Sequence, residues 1–160
     1  MFKLIMCFIA FFVFSVVCTS ILNHLCKNFR KNLIILVDVG ALFDIFPVLQ
    51  RAEIYAQNKS DSNLFDYMQN HFCEIGVNPT GLSKAIKIQH RGYTLKFIST
   101  LNEDLRPIVA KLLNVWHLKG DLYLSIDNGV VIEQLNPNII GIIGKNLDAD
   151  KYAKNGLKVI

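Results

Sequence analysis

Apolar residues are concentrated in a few continuous runs, and the first of these lies at the start of the chain. Leu4 to Cys18 is a run of fifteen residues in which Ser15 is the single polar member. A membrane-spanning helix needs about 20 apolar residues, so this length fits the core of a signal peptide better than a full span. Residues 19–22 could extend the run, which leaves a retained anchor open. The pattern predicts a signal peptide or membrane anchor over residues 1–20.

A basic flank follows this run. It contains Lys27, Arg30 and Lys31, and we assign residues 21–31 to it. Because the run is apolar on every side, it lacks the one-sided apolar stripe of a helix that docks on a domain. We therefore expect it to pack against nothing in the domain. The protein is expected to be exported (periplasmic or secreted) or membrane-anchored, with membrane contact only through this N-terminal segment.

The second run, Leu33 to Val37, has the length and the β-branched content of a strand buried on both faces. It ends on Asp38, and Gly40 follows after one residue. In open parallel sheets, ligands bind outside the carboxyl ends of the strands, so Asp38 is a candidate reactive group. The alternative is that Asp38 caps the next turn or helix, as aspartate often does.

Beyond this point the pattern alternates between helices and strands. Residues 44–91 show helical spacing and predict an insertion made of helices only, whereas residues 92–98 and 118–126 are predicted strands. A further strand enters the glycine turn at Gly144. This alternation predicts an α/β protein, here a Rossmann-like three-layer fold with a parallel five-stranded sheet and a small helical cap insertion. The loops that follow the strands would then lie at one edge of the sheet.

Composition narrows the functional classes. About 130 residues remain after the N-terminal segment, enough for one ordinary domain. The net charge of +4 is spread along the chain without a dense basic run, so we expect no nucleic-acid partner. The chain has no CxxC pair or Cys/His cluster, which argues against a structural zinc site. Neither the oligomeric state nor a disulfide between Cys26 and Cys73 follows from the sequence.

A family resemblance begins at Asp38. An apolar strand followed by Asp-Val-Gly-Ala-Leu-Phe-Asp-Ile, residues 38–45, resembles the first motif of the haloacid dehalogenase (HAD) superfamily, in its Asp-x-Gly branch. The resemblance implies that Asp38 is a nucleophile that forms an acyl-phosphate, a form of covalent catalysis by a carboxylate. It also implies that Gly40 stands where many members have the aspartate that protonates the leaving group.

The second predicted strand carries the next matching motif. Gly92 to Ser99, Gly-Tyr-x-Leu-x-Phe-Ile-Ser, is similar to the second motif of the family, whose Ser or Thr hydrogen-bonds the substrate phosphate. The resemblance assigns this role to Ser99 and to Thr100 after it. The alternative is a helix N-cap, and the two roles are compatible because helix N-termini also favour anions.

The end of the chain is similar to the fourth motif of the family in its length and in the positions of its glycine residues. A strand reaches Gly144, and an Ala-x-x-Gly turn and a last apolar segment follow. The acidic residue expected after the glycine is replaced by Lys145, while Asp148 and Asp150 are the acidic residues further on. The third motif is absent, because no lysine lies between Lys119 and Lys145. A generic strand-helix-strand unit would also explain this segment.

Taken together, the motifs resemble a degenerate member of the superfamily with a short cap, over residues 32–160 and with the cap insertion at 44–91. The resemblance implies that the protein hydrolyses small phosphorylated substrates with Mg²⁺. The changes in the motifs imply that this activity is weakened or lost. The implied metal ligands are oxygen donors: Asp38, the Gly40 carbonyl, Asp148 and Asp150. Lys145 is expected to pair with Asp38. The alternatives are a non-catalytic HAD-like binding or interaction protein, and a truncated or decayed gene product.

Overall fold

The computed structural model describes residues 2–58, 64–124, 138–144 and 158–160. Six helices are described: α1 Phe2–Arg30, α2 Val39–Leu42, α3 Phe46–Asn58, α4 Leu64–Asn70, α5 Pro79–His90 and α6 Arg106–Val115. The strands are β1 Ile34–Asp38, β2 Phe43–Asp44, β3 Gly76–Val77, β4 Thr94–Ile98, β5 Gly120–Tyr123, β6 Ile139–Ile143 and β7 Lys158–Val159. Short 3₁₀ turns cover Phe72–Glu74 and Glu103–Leu105.

The main sheet has the strand order β5-β4-β1-β6-β7, and every pair of neighbours is parallel. Strands β1, β4 and β6 have five residues each, β5 has four, and β7 adds two at one edge. This arrangement confirms the predicted α/β class with a parallel sheet. It is consistent with a Rossmann-like fold, in which β1 lies in the middle of the sheet.

The apolar run in β1 is buried on both faces, as its sequence predicts. Ile35 and Val37 belong to the larger core cluster, which also takes in apolar residues of α3, α4, α5 and α6. Leu36 points to the opposite face and belongs to a smaller cluster of strand residues. The connections from β5 to β6 and from β6 to β7 lie mostly outside the described residues, so the predicted third layer stays a prediction.

Phe97 on β4 is the natural place to test this core, because it is fully buried in the larger cluster. We expect Phe97→Ala to lower the free energy of unfolding by about 3–5 kcal/mol, since it removes a packed ring and leaves a cavity. Urea unfolding of the full chain in detergent measures this. Phe46→Ala is the control, since Phe46 is 69% exposed. An equal loss in the two variants would contradict the assignment of the core.

The prediction that residues 44–91 contain helices only is wrong. Strands β2 and β3 form a second, antiparallel sheet in which Phe43 pairs with Val77 and Asp44 with Gly76. Each of these strands has two residues, which is too short to leave a periodic pattern in the sequence. The pair closes the base of the segment from residue 43 to residue 77, which we call the inserted segment.

Helix α5, which the prediction placed inside the insertion, packs against the main sheet instead. It contacts β4 and β6 as well as α2. Gly81 permits the contact with α2, because a Cβ atom there would lie 2.1 Å from the Ala41 carbonyl oxygen. Asn78 caps the helix by accepting the backbone N–H groups of Thr80 and Gly81. Helix α5 is therefore the crossover that returns the chain to β4.

Polar contacts link the parts of the inserted segment. The Glu74 carboxylate pairs with Arg51 of α3 at 2.6 Å and with His71 at 2.6 Å. Hydrogen bonds from His71 and Arg51 lower the pKa of Glu74. The Lys111 ammonium lies 4.4 Å from the centre of the Phe72 ring and so joins α6 to the segment. These contacts join α3 and α6 to the turn that follows α4.

Helix α1 projects away from the domain. The stretch from Phe11 to Arg30 is long and apolar enough to cross a membrane. A signal sequence can have the same length and apolar composition. None of this stretch is buried inside the protein. For the side chains described, the expectation that residues 1–20 pack against nothing is confirmed.

Candidate functional site

Asp38 lies at the carboxyl end of β1, where its side chain both caps a helix and lines a cleft. It caps α2, with Oδ1 accepting the Gly40 backbone N–H at 2.9 Å. The capping alternative is therefore correct as a local description. The side chain also lines a cleft at the carboxyl edge of the sheet, so capping does not withdraw it from chemistry.

Gly40 keeps the space beside this carboxylate open. A Cβ atom at residue 40 would lie 3.3 Å from Asp38 Oδ1 and 3.7 Å from Oδ2. A longer side chain at residue 40 would thus start in direct contact with the carboxylate. In this chain the Asp38 carboxylate has no acidic neighbour at that position.

Ser99 and Thr100 follow β4, the strand next to β1. Asp38 pairs with Ile98 in the sheet register, which places Ser99 one residue beyond the level of Asp38. Ser99 is buried, and its Oγ accepts the Leu101 backbone N–H at 3.3 Å. Its own N–H donates to the Tyr123 carbonyl oxygen at 3.0 Å. Thr100 is exposed, so the turn offers one buried and one accessible hydroxyl.

The cleft at this edge has a volume of about 230 Å³. Four predicted site residues line it together: Asp38, Gly40, Ser99 and Thr100. The other lining residues are Phe43, Asp44, Ile45, Phe46 and Leu101. Lys145, Asp148 and Asp150 lie outside the described residues, so their predicted roles and the expected contact between Lys145 and Asp38 stay predictions.

The described lining of the cleft is acidic. It contains the carboxylates of Asp38 and Asp44, and none of its residues is a lysine or an arginine. Lys96 on β4 is held elsewhere, with Nζ 3.1 Å from the Tyr123 hydroxyl and 3.6 Å from Asp121. The hydrogen bond with Tyr123 raises the pKa of Lys96. A bound phosphate would therefore need a cation that the described residues of the cleft do not supply.

Mg²⁺ suits the oxygen atoms present in the cleft. It prefers carboxylate and carbonyl oxygens and usually retains several waters, so it needs few protein ligands. Asp38 and Gly40 line the cleft together, and Gly40 leaves room against the carboxylate. Within the described ranges, no group of three or more His, Cys, Asp or Glu residues could hold a metal ion. The donor set in view is thus compatible with Mg²⁺ but partial.

A larger groove of about 830 Å³ adjoins the cleft. Phe46, Thr100 and Leu101 line the two spaces in common. The groove runs between the helices of the inserted segment and the turn that leads into α6, and its remaining lining is Leu49, Glu53, Leu64, Phe65, Asn102, Asp104, Leu105 and Pro107. A molecule whose reactive group entered the cleft would place its remainder against this mostly apolar wall.

Sequence reasoning missed some of the lining residues. Asp44 is the most relevant, because it adds a second carboxylate to the cleft. Its position six residues after Asp38, in the same motif, was the available signal. Phe46 and Leu101 carry no comparable signal, because an isolated apolar residue next to a strand end usually belongs to the core.

No protein-family model, curated protein or solved structure matches the chain.

Proposed function

We propose that this protein is a HAD-like hydrolase of small phosphate esters, with Asp38 as its nucleophile. The observation that carries the proposal is the shared cleft, in which Asp38 meets Ser99, Thr100 and Gly40 at the carboxyl edge of a parallel sheet. The residues come from two neighbouring strands and match the order of the motifs that resemble the family. Ligand sites in parallel sheets lie at this edge.

The reaction would run in two steps. A carboxylate oxygen of Asp38 attacks phosphorus, and the bond from phosphorus to the ester oxygen breaks to release the alcohol or phenol portion as its anion. Water then hydrolyses the acyl-phosphate, which releases inorganic phosphate and restores the Asp38 carboxylate. The hydroxyls of Ser99 and Thr100 would donate hydrogen bonds to the phosphate oxygens. Mg²⁺, when bound, would neutralise part of the charge on the carboxylates and the phosphate.

Gly40 predicts weak catalysis and a strong preference among leaving groups. Without an acid at this position, the described part of the cleft offers the departing oxygen no assigned proton donor. General acid catalysis typically contributes on the order of 10²–10⁴-fold in rate. Aryl phosphates, whose phenolate ions are stable, would be hydrolysed far faster than alkyl phosphates. The proposal is therefore of an enzyme whose catalysis is weakened rather than optimised.

The test is hydrolysis of para-nitrophenyl phosphate by the full-length protein in detergent. We expect phosphate release that requires Mg²⁺ and ceases with a chelator. Phosphate release that is absent with Mg²⁺, or that a chelator leaves unchanged, would contradict the proposal.

Ser99→Ala tests the phosphate contact. We expect kcat/KM for para-nitrophenyl phosphate to fall by about tenfold or more, because a hydrogen bond to a charged group is worth about 1.5–3 kcal/mol. The comparison is Thr100→Ala on the same turn, whose exposed hydroxyl should matter less. Steady-state kinetics on the two variants measures this. A larger loss in Thr100→Ala would transfer the main phosphate contact to that residue.

The second candidate function is a non-catalytic HAD-like binding or interaction protein. Gly40 favours it, because the cleft keeps the nucleophile position and loses the position of the acid. Such a protein would bind a phosphate ester with Mg²⁺ and release no phosphate. Calorimetric binding of phenyl phosphate without turnover would favour this alternative over the hydrolase.

A further inference from the structure

The amino edge of the main sheet, opposite the Asp38 cleft, is where α1 joins the domain. Gly92 has a φ of 91°, and a Cβ atom there would lie 2.7 Å from Lys27 Cγ. The Arg30 guanidinium lies 5.7 Å from the centre of the Tyr93 ring. The Thr94 hydroxyl donates to the Lys31 carbonyl oxygen at 2.7 Å. The last turn of α1 therefore packs directly on the start of β4.

Two further elements belong to the same edge. Gln89, near the end of α5, donates to the His117 carbonyl oxygen at 2.9 Å and accepts the Lys119 backbone N–H at 2.6 Å. These bonds join the end of α5 to the turn between α6 and β5. Together with the end of α1, these turns form one surface, which we call the amino-edge surface.

The amino-edge surface is basic. Lys27, Lys31, Arg91 and Lys119 are exposed on it, and Arg30 is half-buried. Asp121 follows two residues after Lys119 and is the next acidic residue in the chain. Its carboxylate pairs with Lys96. Exposed lysine and arginine side chains next to an apolar helix attract anionic lipid headgroups.

Large apolar side chains are exposed among these cations. Phe29 is 69% exposed, Val115 56% and Trp116 39%. Trp116 directly precedes His117, whose carbonyl oxygen bonds Gln89, so it lies on the amino-edge surface. Tryptophan is enriched at membrane–water interfaces, because its ring is apolar and its N–H can bond to headgroups or water.

Helix α1 supplies the remaining observation. It has 29 residues, and at 1.5 Å per residue it is about 44 Å long, against about 30 Å for the hydrocarbon core of a bilayer. Large apolar side chains are exposed along the helix, among them Phe11, Phe14, Val17 and Leu22. If the apolar part fills the hydrocarbon core, Lys27 lies at the headgroups, and so does Gly92 against it.

We infer that α1 is a retained membrane span and that the amino-edge surface rests on an anionic bilayer, with Trp116 among the headgroups. The domain is then held against the membrane rather than tethered loosely beside it, because the span ends in contact with β4. The strands point away from the bilayer, and a strand of five residues places Asp38 about 16 Å further out. The cleft would face the aqueous phase. The inference does not depend on the proposed hydrolase activity.

Trp116 is the single tryptophan of the chain, which makes the test direct. The full-length protein is reconstituted into vesicles of phosphatidylcholine and phosphatidylglycerol, with and without bromine on the acyl chains. We expect brominated lipid to quench Trp116 fluorescence by at least about twofold. The matched control carries Trp116→Phe with Phe46→Trp, which moves the reporter to the cleft, and it should be quenched little. Equal quenching of the two reporters, or none at Trp116, would overturn the inference.

Charge variants test the role of the cations. Arg91→Glu combined with Lys119→Glu should reduce the quenching of Trp116, whereas Lys111→Glu, at an exposed lysine near the inserted segment, should not. If the quenching of Trp116 changes neither with these substitutions nor with the phosphatidylglycerol content, the inferred attraction between the cations and anionic lipid is overturned. The mass of the protein recovered from membranes tests retention of α1. A chain that begins near Ile21 would overturn it.

Discussion

Asp38→Asn is expected to abolish hydrolysis of para-nitrophenyl phosphate, with a loss in kcat on the order of 10⁴-fold or more. Asparagine keeps the oxygen that accepts the Gly40 N–H, so the cap on α2 is preserved. It removes the negative oxygen that would attack phosphorus. The loss should therefore appear in kcat without a matching loss of stability, as measured by steady-state kinetics and thermal unfolding of the full chain.

Two comparison variants separate catalysis from structure. Asp66→Asn makes the same chemical change at an exposed position on α4 and should leave kcat unchanged. Asp38→Ala removes the cap as well as the nucleophile, and it should also cost about 1 kcal/mol of stability. Activity that survives in Asp38→Asn would rule out Asp38 as the nucleophile, whatever the fold of the variant.

Gly40→Asp has the second largest expected effect, a gain of about 10²–10⁴-fold in the hydrolysis of alkyl phosphates. The backbone at residue 40 lies in a helical turn outside the positive-φ region, so it can accept a side chain. The Cβ atom of the new side chain would lie 3.3 Å from Asp38 Oδ1, so its carboxyl group would lie near the Asp38 carboxylate. Two carboxyl groups this close raise the pKa of one of them, which would keep a proton available for the leaving oxygen.

The comparison of substrates and variants makes this prediction specific. Hydrolysis of para-nitrophenyl phosphate should change little, because that leaving group departs without a proton. Gly40→Asn has nearly the same size and no acidic proton, so it should give no gain with alkyl phosphates. Equal rates in the Asp and Asn variants would show that residue 40 does not face the leaving group.

The sequence was most informative where structure depends on neighbouring residues. Strand β1 could be predicted because a five-residue apolar run that is followed by Asp38 and Gly40 is compatible with few other local structures. The second strand was predicted from its alternating pattern, and the alternation of helices with strands then indicated the α/β class with a parallel sheet. The motif residues Asp38 and Ser99 were found from sequence because each directly follows a predicted strand.

The pairing of strands was decided by tertiary contacts. Whether Ser99 lies beside Asp38 depends on β4 being the neighbour of β1, and spacing along the chain does not specify that neighbour. The β2–β3 pair and the packing of α5 on β4 and β6 were missed for a related reason. Such contacts join residues far apart in sequence, and two-residue strands contribute no periodic signal.

By itself, then, the sequence determined the apolar N-terminal segment, the buried central strand and the chemistry available at its end. Each of these depends on residue types within a few positions of one another. Only the tertiary structure decided that Asp44 shares the cleft with Asp38, and that Trp116 lies on the same edge as Lys27. Those outcomes depend on which surfaces become neighbours when the core is buried, because burial is a property of the whole domain rather than of any local pattern.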